Sequence, residues 1–270
     1  MCGIAGLISR VIAPGEAARI ASRMGATLSH RGPDGTGQYL EECDGAVVAL
    51  SHTRLAIVDL QDEAAQPVEL ADRSLVLVYN GEIYNYRSLV TTQARELADA
   101  AERSDTVALA ALLAVNGPSV VSDLRGIFAF AAWDRSRKRL WLARDHLGVK
   151  PLYVYEGDGF VLFASEVRAI LASGLVPRRV AHAGILSHLV FGAPIEPLTL
   201  VDGVRALPPG SLLEIDCGLN CRSTHWWTLS AAVREAQEQS LSDRQLGIEV
   251  SRAVREQLMA DVEVGLFLSG

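Results

Sequence analysis

Apolar positions along this chain fall into short runs of two kinds, and their spacing predicts the elements. Gly3 to Ile8 is continuously apolar and reads as a short buried strand. Pro14 opens a stretch in which Ile20, Ala21, Met24 and Leu28 share one face, the repeat of an amphipathic helix. His30 to Gly35 is loop, because Gly-Pro and Asp-Gly punctuate turns. Ala46 to Leu50 and Leu75 to Tyr79 are β-rich, whereas Tyr86 to Ala100 and Asp105 to Val115 carry helical spacing. The second of these helices is apolar nearly all round and is expected to be buried. Four strands follow in close order: Ile127–Trp133, Arg139–Ala143, Leu152–Tyr155 and Phe160–Ala164. Asp134 to Arg137 and Gly157 to Gly159 supply turns between them. Gly210–Asp216 and Arg222–Trp227, joined through Gly218 to Asn220, read as one more hairpin. Strand runs alternating with helix pairs predict sheets covered by helices, an α+β layered architecture.

Toward the C-terminus the pattern changes. Ser230 to Ser240 is polar and reads as a linker. Ser242 is placed to cap a helix in which Leu246, Val250, Val254 and Leu258 recur at helical spacing. Val262 to Leu268 reads as an apolar strand. With 49% hydrophobic residues in 270, the chain can bury one large core and part of a second. A net charge of -7 gives no electrostatic reason to bind nucleic acid or an anionic membrane. No apolar run reaches the ~18 residues of a membrane span, and the N-terminus lacks the layout of a signal peptide. Four cysteines do not make a disulfide framework, so a reducing cytoplasm is expected. Cys217, Cys221 and His225 recur every four residues, but three ligands fall short of the four of a structural zinc site, so no metal is expected. Cys43 reads as part of a polar loop.

Candidate chemistry begins at Cys2. Trimming of Met1, normal before a small residue, leaves a cysteine carrying a thiol and a free α-amino group. An α-amine titrates at about 7.7–8.0 and a thiol at about 8.5, so one residue can hold a nucleophile and its own base. The alternative is an ordinary cysteine beside a start codon. Several segments bear on the choice: Met1-Cys2-Gly3-Ile4-Ala5-Gly6, Arg31-Gly32-Pro33-Asp34, Arg54-Leu55-Ala56-Ile57-Val58-Asp59 and Tyr79-Asn80-Gly81-Glu82-Ile83-Tyr84-Asn85. Ser104-Asp105-Thr106, Arg144 to Tyr153, Ala164-Ser165-Glu166 and Leu207-Pro208-Pro209-Gly210 complete an ordered set. Together they resemble the glutamine-hydrolysing domain of asparagine synthetase, a class II glutamine amidotransferase of the N-terminal-nucleophile hydrolase group.

The resemblance implies roles. Cys2 is the nucleophile, and Asn80 (side chain) and Gly81 (backbone) donate to the oxyanion. Arg54 takes the α-carboxylate of glutamine, while Asp105 and Glu82, with backbone groups around Leu55, Ile57 and Val58, take its α-ammonium. Each has a plainer alternative: a type I′ turn for Asn80-Gly81, a surface ion pair for Arg54, a helix N-cap for Asp105. Arg31 and Asp34 read as loop-shaping. Arg144 to Tyr153 reads as a structural strand-turn-strand.

The implied fold is a four-layer αββα sandwich over residues 1–227. A linker is expected over 228–240, then the start of a second α/β domain over 241–270. Val264 to Gly270 is similar to the strand and first loop residues of an ATP-dependent synthetase domain. There Leu268 and Ser269 would edge a nucleotide site, with ATP and Mg serving that half and no cofactor the first. The chain is expected to lack the rest of that domain and to show only glutaminase activity. In the full-length family the ammonia amidates aspartate. An amino-sugar, saccharide or natural-product acceptor is the alternative, and an inactive glutamine-binding regulatory module is a third reading. A homodimer is a further expectation.

Overall fold

The computed structural model describes residues 1–56, 65–70, 72, 74–97, 104–236, 242–260, 262–263 and 265. Among them are twelve strands in two six-stranded sheets. The first has the order β10-β8-β9-β1-β3-β2, from β1 (Gly3–Ser9), β2 (Gly35–Cys43), β3 (Ala46–Arg54), β8 (Tyr153–Gly157), β9 (Phe160–Ala164) and β10 (Val204–Ala206). The second has the order β12-β11-β7-β6-β5-β4, from β4 (Val68–Glu69), β5 (Leu75–Ile83), β6 (Gly126–Asp134), β7 (Arg139–Arg144), β11 (Ser211–Asp216) and β12 (Cys221–His225). Neighbouring strands are antiparallel throughout both sheets.

Strand residues alternate faces, so each central strand splits its apolar residues between two cores. In β5, Val76 and Val78 face the opposite sheet, while Leu75, Leu77 and Tyr79 face helices. β6 divides in the same way: Ala129, Ala131 and Trp133 on one side, Phe128, Phe130 and Ala132 on the other. Burial on both faces explains why these strands read as continuous apolar runs rather than alternating ones.

The outer face of the second sheet is covered by α2 (Tyr86–Gln93) and α3 (Asp105–Asn116). The outer face of the first is covered by α1 (Pro14–Ala26) and α4 (Val167–Ala172). The order is therefore helix, sheet, sheet, helix, an α+β sandwich of four layers. The helical stretch Asp105–Asp123 is long and apolar enough to cross a membrane by length and composition alone. Its apolar residues instead fill the core beneath the second sheet.

The remaining helices are α5 (His182–Phe191), α6 (Leu229–Ala236) and α7 (Asp243–Glu256). Several expectations need correction. The polar stretch expected to be a linker contains α6. The Tyr86 helix ends at Gln93, followed by a 3-10 turn at Arg95–Leu97. Cys43 ends β2 and packs against the core between the sheets rather than lying in a loop. Ser242 does cap α7, through a reciprocal capping box with Gln245. The Val262–Leu268 strand falls largely outside the described residues.

Candidate active site

Three strand ends and one helix start converge at one edge of the sandwich. Cys2 precedes β1, and Gly3 pairs with Thr53, so Cys2 lies beside the end of β3. There the Leu55 N–H donates to Cys2 Sγ at 3.4 Å, and the thiol lies 3.7 Å from the Leu55 carbonyl. Arg31 holds the segment from behind: its Nε donates to the Cys2 carbonyl at 2.9 Å and its Nη1 to Glu166 at 3.0 Å. The Ile4 N–H donates to Ser165 Oγ at 3.0 Å. Asp34 accepts the Ala56 N–H at 2.9 Å, which fixes the backbone just past Arg54 and Leu55. Arg31 and Asp34 thus hold the backbone on either side of the thiol.

A pocket of about 150 Å³ opens over Cys2. Drug-sized sites occupy roughly 300–1,000 Å³, so this one suits a single small solute. Its wall includes Arg54, Leu55, Asn80, Gly81, Glu82 and Asp105, all expected from the sequence. Ile57, Val58, Leu268 and Ser269 lie outside the described residues. Gln66, Tyr79, Thr106 and Lys150 also line the pocket, and no role was expected for them. Tyr79 had been visible inside a site motif and Lys150 inside a segment read as purely structural.

Asn80 and Gly81 are not a hairpin turn; they lie inside β5. Phe128, opposite Gly81, uses both backbone groups on Asp145, its N–H donating to the carboxylate and its carbonyl accepting the Asp145 N–H. Gly81 therefore directs its own N–H away from β6. The N–H groups two residues either side point the same way: Tyr79 donates to Gln66 Oε1 at 2.6 Å, and Ile83 to Asp105 Oδ2 at 3.1 Å. The Gly81 N–H lies between them on the pocket edge. Its lack of a side chain is required, because a Cβ there would meet the Ile127 carbonyl oxygen at 2.3 Å. The Asn80 side chain is 1% exposed, and its Nδ2 has no hydrogen-bond partner among the described residues. A buried amide donor without an acceptor is costly, and in a pocket it points to a bound oxygen.

Asp105 is the first residue of α3, not its cap; Ser104 holds that position. Its carboxylate is buried at the pocket wall and accepts from Tyr79 OH at 2.8 Å. Burial pushes its pKa up to about 6, against those hydrogen bonds. Burial also raises Glu82 and the Cys2 thiol, and Leu55, the terminal amine, Arg54 and Lys150 pull the thiol back. Burial lowers the Met1 amine, with Arg31 and Lys150 adding to the effect. Behind the site, His52 Nε2 donates to the Tyr79 carbonyl at 3.2 Å and joins the two sheets. Burial takes its pKa down to about 4, so it is neutral.

Elsewhere, Cys217 neighbours Cys43 and Asp44, their ligand atoms within 4.8 Å of one another, and Asp44 is ion-paired with Lys138 at 2.8 Å.

Residues 1–227 match the family described as glutamine amidotransferase domain. A curated relative, "Asparagine synthetase [glutamine-hydrolyzing] 2" of Bacillus subtilis, is 31% identical over the whole of this chain and 37% of its own length. "Amidase chry2" of Gibberella zeae is 32% identical over the whole chain and 41% of its own length. The chain thus spans about two fifths of these relatives. Among solved structures, the glutamine phosphoribosylpyrophosphate amidotransferase of B. subtilis superposes with a TM-score of 0.55 at 20% identity, over 83% of this chain and 49% of that one. At that identity the likeness speaks for the fold.

Proposed function

The chain belongs to the glutamine amidotransferase domain family, and from that premise we propose that Cys2, once Met1 is removed, hydrolyses the side-chain amide of glutamine. The thiol attacks the amide carbon while the freed α-amine takes its proton. The carbonyl oxygen becomes an oxyanion beside Asn80 Nδ2 and the Gly81 N–H. Collapse expels ammonia, protonated by the same amine, and leaves a thioester. Water then attacks the thioester and releases glutamate. The observation that carries this reading is a buried, unpartnered Asn80 amide in the same small pocket as the Cys2 thiol.

Burial raises the thiol, so a base next to the sulfur is needed for attack near neutral pH. The rest of the pocket fits the other end of glutamine. Arg54 suits the α-carboxylate, and Asp105 with Glu82 suits the α-ammonium. A cation beside Asp105 would offset the burial that now penalises its charge. Met1 itself lines the pocket, so its removal both opens space and creates the base.

Ammonia released here would serve an acceptor in a longer protein or a partner. Aspartate as acceptor fits the name of the B. subtilis relative, and ATP and Mg would then serve the acceptor half; an amino-sugar, saccharide or natural-product precursor is the alternative. No step here rests on a nucleotide, because Leu268 and Ser269 lie outside the described residues. Cytoplasmic location and a homodimer remain part of this proposal.

Intact mass after treatment with a diazoketone analogue of glutamine tests the hydrolytic reading. Loss of Met1 and a single adduct, absent in Cys2→Ala, is the expected result. No adduct on a Met1-free, folded chain would replace it with the glutamine-binding reading.

A further inference from the structure

Lys150 is 8% exposed and lines the pocket beside Met1, Cys2 and Glu82. Among the described residues, Lys150 Nζ has no hydrogen-bond or ion-pair partner.

Its main chain, by contrast, is fastened on both sides. The Lys150 N–H donates to Asp145 Oδ2 at 3.0 Å, and its carbonyl accepts from Arg144 Nε at 2.9 Å. The same Asp145 carboxylate accepts from Phe128, Leu147 and Val149. Arg144 also donates to the Gly148 and Leu207 carbonyls and, through both terminal nitrogens, to Glu196. The loop after β7 is therefore locked by two buried charged side chains. What it delivers to the pocket is one lone cation.

We propose that Lys150 is a positioning residue for the nucleophile: its unpartnered ammonium keeps the α-amine of trimmed Cys2 neutral and its thiol ready to ionise. A positive charge opposes formation of a second ammonium nearby and favours a thiolate. In the structure Lys150 acts in that direction on the Met1 amine, after burial and Arg31, and on the Cys2 thiol, after the Leu55 hydrogen bond, the terminal amine and Arg54. It also opposes the burial that raises Glu82. Among the described residues, the other charged or titratable groups around Cys2 are Arg31, Asp34, Arg54, Glu82, Asp105 and Tyr79. Arg31 and Asp34 come from the loop after α1, Arg54 from β3, Tyr79 and Glu82 from β5, and Asp105 from α3. Amine and thiol titrate as a pair, so the cation moves the acid limb of the pair as a whole.

The inference rests on the hydrolytic reading, and its test has one readout that does not. The full chain lacking Met1 is compared with Lys150→Met and Lys150→Arg. The pH dependence of Cys2 alkylation by iodoacetamide and of kcat/KM for glutamine are both measured. Lys150→Met is expected to move both acid limbs up by about half to one pH unit, a loss of about 3- to 10-fold at a fixed acid pH. KM is expected to change less than about twofold, and Lys150→Arg to restore the profile. An unmoved alkylation midpoint in folded Lys150→Met overturns the proposal. So does an unmoved midpoint with a raised KM, which would make Lys150 a substrate clamp. Lys150→Gln serves if the Met variant melts below the assay temperature. A wild-type chain that does not hydrolyse glutamine removes the hydrolytic reading, while the alkylation midpoint still decides the role of Lys150.

Discussion

At the scale of single residues, Asp105 and His52 set opposing pH dependences. The folded pKa of Asp105, about 6, lies above its ordinary 3.8. Its stabilising contribution is full below that ordinary value and is lost as pH rises through about 6. His52 is lowered from 6.5 to about 4, so the unfolded chain takes up its proton first and stability is lost as pH falls across that window. Each effect is on the order of 2–3 kcal/mol, and between them they flatten stability across mildly acid pH. Denaturant melts should show this. Asp105→Asn is expected to be more stable than wild type at pH 8 and to expose a slope rising from pH 4 to 6.5. The same change is expected to raise KM for glutamine by about tenfold or more, through loss of a charged hydrogen bond. Asn80→Ala tests the oxyanion role proposed for its unpartnered amide. Its kcat should fall by about 10²–10³-fold with little change in KM, and a KM effect alone would place Asn80 in ground-state binding.

At the scale of elements, the site depends on β5 keeping its place against β6. Gly81→Ala must push a methyl group into the Ile127 carbonyl, so β5 has to shift or bulge. The variant is expected to lose about 3 kcal/mol and most of its activity; a wild-type melt would show that the strands can separate locally. The strands were legible because the central ones are buried on both faces and read as unbroken apolar runs. β2 was not, because its Gly-Thr-Gly-Gln-Tyr-Leu-Glu-Glu-Cys sequence alternates with a half-exposed face and carries little apolar signal. α5 was missed for a related reason: Ile185, Leu186, Leu189, Val190 and Phe191 are all exposed, so no polar face marks its period. That Cys2, Arg54, Asn80, Gly81, Glu82 and Asp105 belong together was readable from motifs, and they line one pocket. Lys150 was not given a role, because it reaches the site through a loop whose local signature is the Arg144 and Asp145 scaffold, and only tertiary structure shows where that loop points.

At the scale of the whole molecule, the described helices after Trp227 add no buried residue to the sandwich's cores. α6 and α7 bury no residue, and Leu246, Ile248, Val250 and Val254 are exposed. The sandwich is reached from that end by Met259, which packs with the core beneath the second sheet, and by an Arg125–Glu256 ion pair at 3.1 Å. Limited proteolysis is expected to cut beyond Trp227 first and to leave a resistant core from Cys2 to about that residue; equal resistance throughout would show a single cooperative unit. The inner position of β1 has a different consequence, one of timing. β1 is flanked by β3 and β9, and Phe160–Ala164 must exist before the strand is enclosed on both sides. Only Cys2 separates Met1 from the sheet, which leaves a processing enzyme little slack in the finished fold. At about 5–20 residues per second, a ribosome needs roughly 8–30 s to reach β9. The period in which a peptidase meets a fully extended N-terminus is therefore set by translation, and a chain that misses it folds with the Cys2 amine still masked.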